Sequence, residues 1–534
     1  MLAGQTIVIL RENVERNYGK EAQRSNIAAA KAIAGAVRTT LGPRGMDKML
    51  VGSTGDIVIT NDGATILQEI SVQHPGAKMV IEVAKTQDNE VGDGTTTAVV
   101  LVGALMEQAE DLLEQGIHPT VISAGYRLGM EKALEIVDGL ALRVEPTDKK
   151  TLGKICDTAI TGKSIEAVKS KLCGIIVNAV SAVAETVNGK ITVDEDDVMV
   201  KKKRGHAIDD AELIHGIVID KSRVHEGMPK KVTKATIALI ATPLEITKTQ
   251  VKAKIKISTA EQVAAFTEQE REALKKLAGY VIDSGANVLL CQKGIADPVQ
   301  FHLAKAGILA IEDVPETDMQ YAAKAVSATI VQKAENLAVK DLGSAETVEE
   351  DNDIDIVRIG GCKNPKAITI LLRGSTDYLL DELERAVNDG KRVVMDAMED
   401  GTFVVGGGAV ETELLMKIKD YAASVGGRVQ LALEAYAAAF ETIPRTLAEN
   451  SGYNPIDKLV DLKNAHAKGK KNAGLNVYSG DIIDMHTEGV FEPLRSKRQS
   501  IQSASETAAM LIRVDDMMIT QQKRPAGMPG APMG

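Results

Sequence analysis

Glycine-rich turns lie near both ends of this chain, and their positions constrain the fold more than any other feature. The turns "TLGPRG" (40–45), "TNDG" (60–63) and "GDGTTT" (92–97) come early, whereas "GGG" (406–408) comes late. Glycine lets the backbone turn tightly and lets a ligand approach it closely. If these turns serve one ligand, the first and last segments of the chain must fold together, and the residues between them form an insertion.

The stretch "EVGDGTTTAVV" (90–100) indicates the kind of ligand that such turns suit. Gly92 and Gly94 allow a tight turn around Asp93, and the three threonines stand where a helix begins, because apolar residues follow at helical spacing. The first N–H groups of a helix have no internal partner and carry the positive end of its dipole. The pattern suits a phosphate with a metal ion held by the acid. The alternative is a capped helix after a glycine turn, and no GxxxxGK[ST] P-loop is present.

Length and composition exclude several classes of protein. The chain of 534 residues is long enough for about three domains. A formal net charge of −11, no Trp and only 5 Phe argue against nucleic-acid binding, which favours basic patches and stacking aromatic rings. No apolar run is long enough to span a bilayer, and the first residues lack the pattern of a secretory signal. The four cysteines form no CxxC pair, so we expect buried thiols in a cytoplasmic protein.

Two patterns of secondary structure alternate along the chain. Residues 20–146 favour helices, and a mainly helical pattern returns after the "GGG" turn, with expected breaks at Pro444 and Gly452. Between them, short aliphatic runs alternate with helical stretches over residues 218–370, which predicts an α/β domain. The predicted strands are 235–242, 286–292, 307–314, 327–332 and 367–374.

Two helices of the α/β region bear on function. The segment after residue 258 is charged on most sides, which is typical of a surface helix. The stretch "DPVQFHLAKAG" (297–307) predicts a helix with Asp297 as N-cap and Pro298 at the first helical position. Its three large apolar residues cannot all share one face, so some of them belong to the core.

Longer strings extend around the glycine turns and carry a resemblance. They are "AVRTTLGPRGMDKML", "TNDGATILQEI", "AKTQDNEVGDGTTTAVV", "DGTFVVGGGAVE", "IPRTLAENSG" and "NAGLNV". These strings closely resemble the group II chaperonins, and among them the archaeal thermosome subunits. The similarity runs in order from about residue 10 to about residue 520.

The resemblance implies the multidomain chaperonin fold. This fold has a mostly α equatorial ATPase domain, an α/β intermediate domain and an α/β apical domain with a helical protrusion. The boundaries we expect are 1–146 and 405–524 for the equatorial domain, 147–217 and 371–404 for the intermediate domain, 218–370 for the apical domain with a lid protrusion at about 246–278, and 525–534 for a disordered tail.

The resemblance also implies a site for ATP and Mg²⁺. Asp93 matches the magnesium ligand, which agrees with the preference of this ion for hard oxygen ligands. Asn476 matches a residue near the base, Glu492 an acid that holds the ribose hydroxyls, and Lys163 a lysine that senses the γ-phosphate. On local grounds Lys163 is equally an exposed turn residue. The residues assigned to nucleotide binding are Leu41, Gly42, Pro43, Gly94, Thr95, Thr96, Thr97, Lys163, Gly407, Asn476 and Glu492.

Two further acids match catalytic positions of the family. Asp62 matches an acid near the terminal phosphate, and Asp389 matches the acid that positions the attacking water. By its local sequence alone, Asp389 is a solvated helix residue. The chain departs from the family at Gly390, where alanine is common, and glycine within a helix costs roughly 1 kcal/mol relative to alanine.

The function implied is an ATP-dependent chaperone that encloses nonnative proteins in a double ring with a built-in lid. We expect rings of eight or nine subunits, protein clients, and neither nucleic-acid nor membrane partners. The alternative is a small-molecule ATP-dependent enzyme, such as a kinase or ligase, using the same nucleotide site. That alternative needs a second substrate pocket beside the phosphate turns, and the sequence shows no such group of polar residues.

Overall fold

The structure is a computed structural model, and the chain divides into two compact units. One unit contains the residues up to Glu166 together with those from Asp396 onward, and the other contains Ala167–Met395. The residues described are 14–52, 55, 57–163, 166–205, 207–246, 260–351, 354–362 and 368–520. The predicted tail 525–534 and the first part of the predicted lid lie outside them. The three-domain division with its boundaries stays a prediction.

The first chain segment is mainly helical, as its pattern predicts. The first helix ends at Arg38, before Gly42 and Pro43. His118 caps the helix that follows it, and Pro119 occupies the first turn, where its missing N–H costs no hydrogen bond. The elements are β1 (Val14–Tyr18), α1 (Lys20–Arg38), β2 (Lys48–Val51), β3 (Ile57–Thr60), α2 (Gly63–Glu69), α3 (Pro75–Val91), α4 (Thr95–Glu114), α5 (Pro119–Leu140), β4 (Leu142–Arg143) and α6 (Lys149–Ile160).

The middle of the chain alternates strands and helices. The five predicted strands all occur. Four of their aliphatic runs are largely buried on both faces, whereas the run 327–332 forms only a two-residue strand in which Val331 alone is buried. The elements are α7 (Lys169–Val183), β5 (Glu185–Val187), β6 (Lys190–Thr192), β7 (Val198–Arg204), β8 (Glu212–Ile214), β9 (Gly216–Ile219), β10 (Lys231–Ile240), α8 (Ala260–Asp283), β11 (Val288–Cys291), α9 (Asp297–Lys305), β12 (Leu309–Ile311), α10 (Glu316–Val326), β13 (Ile330–Val331), β14 (Gly343–Asp351), β15 (Ile356–Gly360), β16 (Ile368–Gly374) and α11 (Asp377–Asp400).

The last segment returns to helices. The expected break at Pro444 is wrong: the chain breaks between α13 and α14, and Pro444 lies in the first turn of α14, where proline is tolerated. The elements are β17 (Thr402–Val405), α12 (Ala409–Val425), α13 (Gly427–Ala439), α14 (Thr442–Asn450), α15 (Pro455–Ala467), β18 (Ala473–Leu475), β19 (Ile482–Asp484), α16 (Met485–Glu488), β20 (Phe491–Pro493), α17 (Leu494–Ile512) and β21 (Asp516–Thr520).

Helix α4 forms the centre of the first unit. It packs on α1, α3, α13 and α17. An added side chain on Gly103 would collide with Ala34 of α1, so glycine at this position lets the two helices approach closely. The hydroxyl of the buried Tyr126 donates to Leu105 O at 2.7 Å. Because α4 is held on several sides, the position of its first residue, Thr95, is fixed by the core.

Two sheets organise the second unit. The larger has seven strands, in the order β12-β11-β10-β14-β15-β9 with β13 also paired to β10. The smaller has the order β7-β16-β8, so the predicted strand 367–374 belongs to a different sheet from the other four. Leu371 of this strand packs on Val218 of the larger sheet. The strand is therefore as apolar as those of the larger sheet, and its sequence does not show that it belongs to a separate sheet.

Helix α9 begins one residue earlier than its sequence indicates. The predicted N-cap Asp297 is the first helical residue, and Ala296 is the cap, because Ala296 is extended and its carbonyl accepts from the N–H of Val299 at 2.8 Å. Val299 and Leu303 are buried, whereas Phe301 is 56% exposed. The core face of this helix is therefore the one that carries valine and leucine.

The first unit also contains two two-stranded sheets, β1 with β21 and β2 with β3. The four cysteines are buried and form no disulfide, which confirms that part of the prediction. Among the described residues, none of the helices combines the length and the apolar character needed to cross a bilayer.

Candidate functional site

The turn around Asp93 has the geometry that its glycines predict. Gly92 and Gly94 have φ angles of 75° and 79°, in the left-handed region that favours glycine. Helix α4 begins directly afterwards, at the buried Thr95. The side-chain amide of Gln87 donates to the main-chain oxygen of Asp93 at 2.7 Å and stabilises the turn. The first N–H groups of α4 thus follow the carboxylate of Asp93 directly.

The turn that contains Asp62 lies against the same helix start. The carboxylate of Asp62 accepts from the N–H of Thr65 at 2.7 Å and caps α2. A β-carbon added to the next residue, Gly63, would lie 2.5 Å from Thr96 Oγ1 and 3.1 Å from Thr96 N. Glycine at this position therefore lets the first turns of α2 and α4 meet. The N-terminus of α2 is capped by Asp62, whereas that of α4 has no side-chain cap and favours an anion.

The loop of Leu41, Gly42 and Pro43 belongs to the same region. A β-carbon on Gly162 would lie 3.0 Å from Gly42 O and 3.0 Å from the Cα atom of Pro43, so the two loops are in close contact. The side-chain amide of Asn61 donates to Gly162 O at 2.6 Å and links this contact to the Asp62 turn. The residue that follows Gly162 is the predicted phosphate sensor, which the loop contact thereby positions.

Charges of both signs surround Asp93. Burial raises the pKa of its carboxyl, while the N–H of Gly94 and the ammonium groups of Lys163 and Lys497 act in the opposite direction. The carboxylate of Asp62 raises this pKa further. Asp93, Asp62 and Lys163 are therefore close enough to interact, as the prediction that they serve one site requires. A divalent cation would relieve the repulsion between the two acids.

The "GGG" turn lies beside Asn476. Gly407 and Gly408 have φ angles of 68° and 82°, and α12 begins at the next residue. Gly407 O accepts from the N–H of Leu475 at 3.0 Å, which places the residue before Asn476 on this turn. The side-chain oxygen of Asn476 accepts from the N–H of Tyr478 at 2.9 Å, so its orientation is defined.

Glu492 is held on the other side of the "GGG" turn. A β-carbon on Gly406 would lie 2.7 Å from Glu492 Oε1. The ammonium of Lys497 lies 2.6 Å from Glu492 Oε2 and 2.7 Å from Glu411 Oε1. Burial raises the pKa of Glu492, although Lys497 opposes this. Burial lowers the pKa of Lys497, but the two carboxylates outweigh it and the net shift is upward. The result is a triad in which two acids share one ammonium.

The predicted residues fall into one unit with a single exception. All residues predicted to bind nucleotide or metal, together with Asp62, lie in the first unit. Asp389 lies on α11 within the second unit, where it is partly exposed. Its role as the acid that positions water stays a prediction.

Three residues of the site were not anticipated from the sequence. They are Gln87, Lys497 and Asn450. The side-chain amide of Gln87 donates to Ser496 O at 3.2 Å, and Lys497 contacts Glu492. The side-chain amide of Asn450 donates to Leu41 O at 2.9 Å. Gln87 gave one sign in the sequence, since it stands among the apolar positions of α3. Lys497 gave none, because lysine in "EPLRSKRQS" is typical of a solvated helix start.

The cavity found among the described residues does not favour the alternative of a small-molecule enzyme. A cavity of about 410 Å³ lies near the last turns of α4, lined by Gln108, Asp111 and Leu112 among others. Thr95 and Asp111 are separated by 16 positions of one helix, which is about 24 Å at 1.5 Å per residue. This cavity is therefore not beside the phosphate turns. Within the described part of the chain, no group of three or more His, Cys, Asp and Glu residues could hold a metal without help from a ligand.

Comparisons with known proteins agree on one family. Residues 33–522 match the TCP-1/cpn60 chaperonin family. The chain is 52% identical to the thermosome subunit beta of Archaeoglobus fulgidus over 99% of its own length and 98% of the relative. It is 51% identical to the thermosome subunit alpha of Thermoplasma acidophilum over 100% and 99%. An open-state monomer of a group II chaperonin from Methanococcoides burtonii aligns with a TM-score of 0.61 and 43% identity, covering 79% of this chain and 100% of that one.

Proposed function

The chain belongs to the TCP-1/cpn60 chaperonin family, as a group II chaperonin and an ATP-dependent molecular chaperone, and from this premise we propose that it hydrolyses Mg-ATP in the site around Asp93. The observation that carries the proposal is the start of α4, which follows the glycine turn of Asp93 directly and lies against the turn of Asp62. The first turn of α4 has no side-chain cap, so it provides N–H donors and a positive dipole end for a polyphosphate.

The phosphates bind to the turn and to the start of α4. Gly94, Thr95, Thr96 and Thr97 offer backbone N–H groups and hydroxyls that donate to phosphate oxygens. Lys163 adds a charge-assisted contact with the terminal phosphate. Because this contact requires the γ-phosphate, the loop around Lys163 distinguishes ATP from ADP.

Asp93 would supply the hard oxygen ligand for the metal. When bound with the nucleotide, the ion would neutralise charge on the phosphate oxygens. One protein carboxylate would be sufficient to hold it, because Mg²⁺ is usually bound through one or two carboxylates together with substrate phosphates. The ammonium groups near Asp93 favour its ionised form, which is the form that binds the metal.

Two carboxylates orient the water for hydrolysis. Asp62 lies next to the phosphate turn, and Asp389 contributes from α11. Phosphoryl transfer needs little covalent chemistry from the protein, so positioning of the water and neutralisation of charge supply most of the effect. Since Asp389 belongs to the second unit, hydrolysis depends on the conformation of the chain as well as on the nucleotide.

The nucleoside binds between the two ends of the chain. Leu41, Gly42 and Pro43 lie against it, and Gly407 approaches it closely because it has no side chain. Asn476 lies near the base. Glu492 accepts hydrogen bonds from the ribose hydroxyls.

Clients and assembly follow from the same family. The chain assembles with other subunits into a double ring of eight- or nine-membered rings, and nonnative proteins are enclosed in its cavity. The equatorial, intermediate and apical domains have the boundaries predicted above, the segment near 246–278 forms the lid, and the particle is cytoplasmic.

Refolding of a denatured client tests this function. We expect Mg-ATP to raise the recovery of a chemically denatured enzyme diluted into the purified protein, whereas Mg-ADP leaves recovery at the level without nucleotide. Recovery that does not depend on the nucleotide would contradict the proposal. Consumption of ATP only in the presence of a small-molecule acceptor would favour the kinase or ligase instead.

A further inference from the structure

The ammonium of Lys497 contacts two segments of the proposed nucleotide site that are distant from each other along the chain. Its Nζ lies 2.7 Å from Glu411 Oε1 in the first turn of α12, and 2.6 Å from Glu492 Oε2 on β20. Both contacts are short enough to be charge-assisted hydrogen bonds. Lys497 thereby fixes the start of α12, which follows the "GGG" turn, relative to the acid proposed to hold the ribose.

The three side chains differ in their access to solvent. The side chain of Lys497 is 6% exposed and that of Glu411 is 4% exposed, whereas that of Glu492 is 26% exposed. Only Glu492 can therefore reach a ligand. Lys497 and Glu411 lie behind it, where they can hold the carboxylate but cannot contact a nucleotide.

A second buried polar side chain connects this triad to the metal-binding turn. The amide of Gln87 donates both to Asp93 O at 2.7 Å and to Ser496 O at 3.2 Å, and Ser496 directly precedes Lys497. Gln87 is fully buried. The backbone that carries Lys497 is consequently tied to the turn that carries Asp93.

We propose that Lys497 is a positioning residue that turns the Glu492 carboxylate toward the ribose and so determines the selectivity of the site for ribonucleotides. The inference rests on the proposed function. Glu492 uses one oxygen for Lys497, and its other oxygen lies on the side of Gly406, where an added β-carbon would come within 2.7 Å. Lys497 thus fixes which oxygen of Glu492 faces the "GGG" turn.

A buried ion pair of this kind also has a purely structural role, because removal of one partner leaves a charge without compensation. A purely structural pair affects all nucleotides alike. A positioning pair affects only those nucleotides that have the hydroxyl which Glu492 contacts. The ratio of affinities between a nucleotide with this hydroxyl and one without it separates the two roles.

The test compares Mg-ATP with Mg-2′-deoxyATP and Mg-3′-deoxyATP, by dissociation constant and by KM, on the assembled protein. A hydrogen bond to a charged group supports a preference of about tenfold for ATP over the weaker-binding deoxynucleotide in the wild type. We expect Lys497→Met to reduce this preference to about twofold or less, mainly through weaker ATP binding. Glu492→Gln gives the same loss, and the double variant of both residues adds nothing further.

Two further variants keep the test decisive. Lys497→Met combined with Glu411→Gln removes one buried charge of each sign, so it retains the fold if the single variant does not. Lys201→Met is the matched control, because it removes an ammonium 2.7 Å from the buried carboxylate of Asp318 in the second unit. We expect the control to keep the wild-type preference.

The outcomes distinguish this inference from the proposed function. A wild-type preference that survives in the Lys497 variants overturns the positioning role, as does a wild type that binds all three nucleotides equally. Failure of the wild type to bind any of them overturns the proposed function itself, and the inference with it.

Discussion

The carboxylate of Asp93 stands in the turn where the proposed site needs a metal ligand. Its backbone is fixed by Gln87, and α4 begins two residues later. Burial and the neighbouring Asp62 both disfavour its charge, while Lys163 favours it. This balance suits a group that binds a cation only together with the negative charge of a nucleotide.

Substitution of Asp389 should separate hydrolysis from binding. We expect Asp389→Ala to lower the single-turnover rate of ATP hydrolysis at least 100-fold, in the range that general acid–base and positioning groups contribute, while the affinity for Mg-ATP stays within about threefold. The reason is that an oriented water is needed mainly in the transition state.

Asp93→Ala is the matched variant for this experiment. It should weaken Mg-dependent binding itself, because the phosphate charge loses its compensation. If Asp389→Ala instead lost affinity and kept its chemical step, the assignment of Asp389 would be wrong.

Residues with a local signature could be predicted, and those defined by distant contacts could not. Gly92, Asp93 and Gly94 could be recognised, because two glycines around an acid, followed by an apolar helix, indicate a tight turn. The contact of Gly63 with Thr96 depends on how α2 packs on α4, and Lys497 depends on partners in two other segments. No pattern within a single stretch of sequence contains that information.

At the scale of elements, the end of α11 forms a charge cluster that links it to α17. The guanidinium of Arg495 contacts Asp396 Oδ1 at 2.6 Å, Glu399 Oε2 at 3.2 Å and Asp400 Oδ1 at 2.5 Å. One cation thus serves three acids. Burial raises the pKa of Asp396 to about 7, and the neighbouring acids add to this shift while Arg495 opposes it.

The contribution of Asp396 to the stability of the protein should therefore fall as the pH rises from about 4 to about 7. Over this window native Asp396 holds a proton that the unfolded chain has already released, so the native state binds more protons and loses stability with rising pH. Asp396→Asn removes this dependence. We expect the thermal midpoint, at one fixed scan rate, to fall less between pH 5 and pH 8 in the variant than in the wild type.

Asp420→Asn is the control for this measurement, because Asp420 is an exposed acid on α12. An equal fall in the midpoint for the wild type and Asp396→Asn would show that Asp396 does not cause it.

Helix α8 has two halves with different surroundings. Its described residues from Ala264 to Ala273 are all exposed, including Phe266 at 45%, whereas Leu274, Ala278 and Val281 are buried in the core of the second unit. Among the described side chains of α8, those that enter the core all lie in its second half, a more specific arrangement than the surface helix that its charges indicate. An exposed half-helix suits the proposed lid.

Removal of the exposed half tests the lid. Replacing residues 247–272 by a short Gly-Ser bridge spares Leu274 and the core around it. We expect ATP hydrolysis and ring assembly to persist, while the refolding of clients that must be enclosed falls to the level without nucleotide. Unchanged refolding would mean that α8 is only a surface helix.

The strands show which local sequence patterns are sufficient to predict a strand. Four of the five aliphatic runs became strands because residues buried on both faces leave a continuous apolar sequence. The fifth contributes only the two-residue strand β13. Strand β14 lacks such a run, since "GSAETVEED" mixes buried and exposed positions, with Glu346 and Glu349 exposed and Glu350 buried. Strands β1 and β21 pair Val14 with Thr520, and a pairing so distant along the chain leaves no local trace.

At the scale of the whole molecule, the first unit is built from both ends of the chain. Its described residues up to Glu166 and from Asp396 onward share one core around α4, to which α12, α13 and α17 of the last segment contribute. The glycine turns implied such an arrangement only on the assumption of one shared ligand. The size of that core and the position of α17 in it follow from packing, which the turns do not encode.

The mass of the native particle tests the central claim, a ring-forming ATP-dependent chaperone, most directly. Sixteen chains of 56.8 kDa amount to about 0.9 MDa, and eighteen to about 1.0 MDa, for closed double rings of eight or nine subunits. We expect light scattering on the purified protein, after size exclusion, to give one of these two masses and end-on imaging to show the matching symmetry. A particle of one or two chains, with or without Mg-ATP, would contradict the account.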